Sequence, residues 1–149
     1  MESERLQYFS MIYGILHLRS GQFQYVSAGH PAPLVLPHDG CPILHPNQGF
    51  PIGLFPDVEY QEESVVLNPG DRLFLYTDGF TEASDNRGQE YGVGRLLDTI
   101  AAGRSLSIQS TLNSLLDTLK CWCQNHRFSD DLSMLGIEYT GNTQNAGIC

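Results

Sequence analysis

The chain has 149 residues, enough to bury one hydrophobic core. Apolar residues make up 41% of it, which argues against wholesale disorder, and 17 acidic against 8 basic side chains leave a net charge of −9. That charge disfavours nucleic acid and anionic membrane surfaces as partners. No apolar run approaches the roughly 20 residues that span a bilayer, and the N-terminus lacks a signal peptide's apolar core, so a cytoplasmic protein is expected.

Tyr8 to Leu18 interleaves aromatic and β-branched residues and reads as a strand. Ser20-Gly21 turns the chain, and Gln22 to Ser27 returns with Phe23, Tyr25 and Ser27 on one face. Pro33 to Leu36 is a short strand, and Asp39-Gly40 marks a turn. Residues 41–57 hold four of the eight prolines and read as an irregular loop. Val58 to Leu67 is a strand with Tyr60, Glu62 and Ser64 on one face. Asn68-Pro69-Gly70-Asp71 turns tightly into the apolar strand Arg72 to Tyr76. Asp85-Asn86-Arg87-Gly88 is another turn.

Helical periodicity follows. Val93, Leu96, Leu97, Ile100 and Ala101 form one stripe, closed by Gly103. A second helix starts near Ser105 or Ser107 and carries Ile108, Leu112, Leu115, Leu116, Leu119 and Trp122. The last strand is Leu132 to Tyr139, and the polar tail from Thr140 to Cys149 is expected to be disordered. Strands, then two helices, then one strand make an α+β fold with mainly antiparallel sheets and a C-terminal helix pair on one outer face. The cysteines are Cys41, Cys121, Cys123 and Cys149. Cys121, Cys123 and His126 do not make a zinc site, because residues two apart on a helix face different ways.

Two acidic motifs carry the chemistry. Tyr76-Thr77-Asp78-Gly79-Phe80-Thr81-Glu82-Ala83 ends a buried strand with an aspartate on a rigid base. Such a carboxylate suits a hard divalent cation, or else it only caps its own turn. Asp130-Asp131-Leu132-Ser133 precedes the final strand. Adjacent strands would bring the two motifs together, and their like charges would then call for a cation between them.

These motifs, with Tyr13-Gly14, Ser27-Ala28-Gly29-His30-Pro31, Pro51-Ile52-Gly53-Leu54, Pro69-Gly70-Asp71 and Tyr91-Gly92, occur in an order that resembles the later part of a metal-dependent protein phosphatase domain. The kind is PPM or type 2C, of the bacterial SpoIIE/RsbU group. The resemblance covers residues 8–139, so residues 1–139 are expected to be the C-terminal part of such a domain.

The resemblance sharpens the fold to a partial α/β/β/α sandwich. It implies a two-metal site for Mn2+ or Mg2+, with Asp78 and Asp130 as ligands of one cation and metal-activated water as the nucleophile. It casts Gly79, Asp131, Thr77 and Ser133 as supporting residues, and leaves Glu82 as either a hydrogen-bond partner of bound water or a solvated turn residue. His30 lies in a family signature and is read as structural. Arg72, Arg87, Arg95 and Arg127 are the candidate phosphate binders, with solvated surface roles as the default.

The implied substrate is a phosphorylated anti-sigma-factor antagonist, served by an upstream sensor or receiver domain. Family members carry an earlier Asp-Gly metal motif that residues 1–7 lack. The alternative is therefore a truncated or degenerate, non-catalytic signalling or binding module of the same fold. Strands without their neighbours would favour self-association.

Overall fold

The computed structural model describes residues 7–124, 128 and 130–141. Two antiparallel sheets stack on each other, and helices cover one outer face. The first sheet has the order β1 (Met11–His17), β2 (Gln22–Ala28), β5 (Glu62–Val66). The second has the order β4 (Ile43–Leu44), β3 (Leu34–Leu36), β6 (Arg72–Tyr76), β7 (Met134–Glu138). The helices are α1 (Gly79–Glu82), α2 (Gly92–Ala102) and α3 (Ile108–Trp122).

Period-2 alternation splits the second sheet between two cores. Leu34, Leu36, Phe74 and Tyr76 face the helices and pack with Leu96, Ile100, Leu115 and Leu119. Val35 and Leu73 face the first sheet and pack with Phe23, Tyr25 and Leu67. The predicted helical stripes thus supply core contacts, except that Val93 at the start of α2 is exposed. α3 starts at a Ser107 cap, whose hydroxyl accepts the Ser110 N–H. Gly103 follows the last turn of α2, and a Cβ there would lie 2.6 Å from the Thr111 side chain, so glycine lets the two helices approach closely. The first sheet's outer face bears exposed Met11, Tyr13, Ile15 and Val66, so the described residues form three of the four sandwich layers.

Several predicted elements differ in extent. The first strand begins at Met11 because Phe9 instead exchanges hydrogen bonds with Ile52, at 3.1 and 2.9 Å. Residues 41–57 contain β4, which pairs with β3. The fourth predicted strand narrows to Glu62–Val66, after Asp57 adopts a left-handed φ of 56° and the Tyr60 hydroxyl donates to Phe50 O. The final strand begins at Met134 because Ser133 is drawn to Thr77. Residues 142–149 of the expected tail lie outside the described residues.

His45 sits where β4 leaves the sheet. Its backbone N–H donates to Pro33 O, and its buried Nε2 finds no partner among the described residues. Burial pushes its pKa below the usual 6.5. A base with a lowered folded pKa stays neutral while the unfolded chain takes up a proton, so stability is lost as pH falls through about 6.5. Urea unfolding at stepped pH is expected to show that decline, and His45→Gln is expected to flatten it. An unchanged slope in the variant would remove His45 as its source.

Candidate metal centre

β6 and β7 are antiparallel neighbours with Tyr76 opposite Met134. The end of one strand therefore lies beside the start of the other. Asp78 follows β6 by two residues and Asp130 precedes β7, so the register carries both carboxylates to one end of the sandwich. Both side chains are exposed there.

Thr77 binds the two segments together. Its backbone N–H donates to Ser133 O at 3.0 Å, and its hydroxyl accepts the Ser133 N–H at 3.0 Å. The same hydroxyl donates toward Asp131 O at 3.1 Å. Gly79 lets this approach happen, since a Cβ on it would lie 2.6 Å from Asp131 O. Gly79, read from sequence as a supporting residue, thus packs against the loop that carries Asp130 and Asp131.

Asp78 begins the short helix α1, which sequence reasoning missed because a single turn carries no periodicity. Its carbonyl accepts the N–H groups of Thr81 and Glu82, at 2.8 and 2.9 Å. Its carboxylate makes no capping hydrogen bond. Asp85 shows what the competing turn role looks like. Its carboxylate accepts the N–H groups of Arg87 and Gln89, both at 2.8 Å, and the Gln89 bond is the leading cause of its lowered pKa. Asp78 is not used that way. Asp130 accepts its neighbour's N–H through Oδ1 at 2.7 Å, while Asp131 lends its carbonyl to the Thr77 clamp.

The donor set fits a hard cation in kind, because carboxylate oxygens suit manganese or magnesium. The described residues hold no cluster of three or more metal-ligating side chains. Two carboxylates with water completing the shell is a usual arrangement for magnesium.

The candidate phosphate-binding arginines fare differently. Arg72 is buried and committed. Its Nε donates to Glu138 at 2.7 Å, and its other nitrogens donate to the carbonyls of Gly103 and Leu106. It stands at the opposite end of β6 from Asp78 and is a structural residue. Arg95 lies 4.1 Å above the Trp122 ring and donates to Tyr91 O at 2.8 Å. Arg87 is exposed, and Arg127 lies outside the described residues. At His30, Nδ1 faces Pro31 O at 3.1 Å, while the His30 carbonyl accepts from Ser27 and Asn47. The bonds from Ser27 and Asn47 hold the turn through the His30 backbone carbonyl. Cys121 is exposed and Cys123 buried, so the two thiols do face different ways, and His126 is not among the described residues.

A sandwich of stacked antiparallel sheets with flanking helices and carboxylates at one end is the architecture of the PP2C class. The fold resembles the crystal structure of the RsbU and RsbW domains of Rv1364c from Mycobacterium tuberculosis. That match has a TM-score of 0.71 at 31% identity, over 90% of this chain and 37% of that one. The model for the Stage II sporulation protein E (SpoIIE) family matches residues 1–140, and the chain belongs to that family.

Phosphoserine phosphatase RsbP of Bacillus subtilis is 36% identical over 78 residues, covering 52% of this chain and 19% of that protein. Protein IcfG of Synechocystis is 26% identical over 133 residues, covering 86% of this chain and 20% of that protein. The chain thus spans about a fifth of these curated relatives. The fold also resembles the manganese-presoaked structure of the phosphatase domain of SpoIIE from Bacillus subtilis, with a TM-score of 0.71 at 14% identity over 91% of this chain and 59% of that one.

Proposed function

We propose that the chain supplies the Asp78–Asp130 side of a metal-dependent phosphatase site that hydrolyses phosphoserine or phosphothreonine in a regulatory protein. The observation that carries the reading is the pairing of β6 with β7, which brings both carboxylates to one end with Asp78 unspent on capping. Asp78 and Asp130 would hold Mn2+ or Mg2+. A cation held there would supply charge to neutralise phosphoryl oxygens and acidify a water for attack. Thr77 fixes the Asp130–Ser133 segment against β6, and Gly79 keeps the two motifs in contact. Asp131 and Ser133 serve through their backbone groups.

The substrate class we favour is a phosphorylated anti-sigma-factor antagonist, supported by the relatives' names. We also place the chain in the cytoplasm, working with a sensor or receiver domain. The much greater length of those relatives supports this second point. Among the described residues, no helix is long and apolar enough to cross a membrane.

Manganese-dependent hydrolysis of a small aryl phosphate tests the reading. Turnover is expected with Mn2+ and not with a chelator, and Asp78→Asn or Asp130→Asn should reduce it by about 100-fold or more. The second reading is a non-catalytic module of the same fold. It is favoured by the lack of a third acidic ligand among the described residues. Cation binding without any turnover would select it.

A further inference from the structure

Four aromatic side chains, Tyr8, Phe9, Phe50 and Phe55, are each more than half exposed. The two backbone segments that carry them lie side by side, and Phe50 and Phe55 are in ring contact. Phe9 pairs with Ile52, a Cβ on Gly53 would touch Gln7 O at 2.7 Å, and the Phe50 and Phe55 rings meet edge to face at 5.0 Å. The surface is held in place, because Tyr60 donates to Phe50 O and Gly29 N–H donates to Gly49 O at 2.9 Å.

Those bonds also locate it. Gly29 and His30 follow β2 and lead within a few residues into β3, whose Leu34 lies opposite Phe74. β3 therefore starts beside the end of β6, where Asp78 stands. The aromatic surface and the carboxylates share one end of the sandwich.

A phosphoserine that reaches Asp78 and Asp130 must draw its flanking residues across this end. Contiguous exposed aromatics mark a contact surface, and such rings are efficient anchors. Asp57 and Glu59 lie just beyond Phe55, and Asp78, Glu82, Asp130 and Asp131 are exposed nearby. That many carboxylates repel an acidic segment. Resting on the phosphatase reading, we infer that Phe50 and Phe55, with Tyr8 and Phe9, dock the protein substrate by seating an apolar side chain beside its phosphoserine. The flanks of that substrate are apolar or basic.

The probes are two fluorescent peptides carrying a non-hydrolysable phosphonate in place of phosphoserine. They differ only in having leucine or alanine on either side. Anisotropy titration of the full chain with Mn2+ is expected to show the leucine peptide binding about tenfold more tightly. Phe50→Ala/Phe55→Ala should erase that gap. Tyr13→Ser/Ile15→Thr, on the outer face of the first sheet, should preserve it. Equal binding of the two peptides overturns the proposal, and so does a gap that survives loss of both phenylalanines. Sedimentation covers the remaining occupant. If the phenylalanine variant dissociates a dimer and no peptide gap exists, the surface belongs to a second copy of the chain. The readout needs no turnover, so failure of aryl phosphate hydrolysis would defeat the catalytic reading and still leave the docking surface decided.

Discussion

Arg72→Ala is expected to cost about 3 kcal/mol of unfolding free energy, the low end for breaking a buried ion pair. The side chain is only 10% exposed and its Nε lies 2.7 Å from Glu138. The same guanidinium also caps Gly103 O and Leu106 O, beyond the C-terminus of α2. Removing it leaves Leu106 O without that donor, while Gly103 O keeps its bond from Thr111. The Glu138 side chain is 39% exposed and regains water, which is why the cost stays at the low end. For a chain of this size the melting temperature should fall by roughly 6–12 °C. Arg72→Lys should recover only part of it, since a single ammonium cannot serve three acceptors set around a planar fork. A loss below about 1 kcal/mol would mean the pair behaves as a surface ion pair.

Gly79→Ala should strike the candidate centre directly. The added Cβ would lie 2.6 Å from Asp131 O and 3.1 Å from the Leu132 side chain. The backbone oxygen must move, and it is the one that accepts the Thr77 hydroxyl. The segment bearing Asp130 moves with it. A stability loss of about 1–3 kcal/mol is expected from the overpacking. Manganese affinity should fall about 10–100-fold, as when the groups supporting a metal ligand are disturbed. Gly94→Ala is the matched control. A Cβ there meets nothing within 4 Å, and the position is helical, so stability should rise by up to about 1 kcal/mol with metal affinity unchanged. Equal metal affinity in both variants would show that the Gly79 contact does not position the ligands.

The fold was legible where periodicity was strong. The stripes from Val93 to Ala101 and from Ile108 to Trp122 became α2 and α3, and the Phe23, Tyr25, Ser27 alternation became the buried face of β2. Strand ends were less legible because local bonds set them. Phe9 prefers Ile52 to continuing its strand, and Ser133 is claimed by Thr77. The acidic motifs were visible as residues, yet their meeting depends on β6 pairing with β7 across more than fifty intervening positions. Arg72 was misread because a guanidinium in sequence looks the same whether it awaits a phosphate or neutralises a buried carboxylate. Only the long-range contact with Glu138 separates the two. Arg104 escaped notice for the same reason, although its guanidinium donates to the carbonyls of Pro37, His38 and Gly40 and fastens the β3–β4 turn to the end of α2.

The most direct test of the central claim is manganese binding read by electron paramagnetic resonance on the full chain. Asp78→Asn, Asp130→Asn and the double variant would be titrated in parallel. If both carboxylates hold one cation, each single change should weaken binding by about tenfold or more, and the double change should cost less than the product of the two. Binding that is unchanged in both single variants would contradict the account and place any cation elsewhere on the chain.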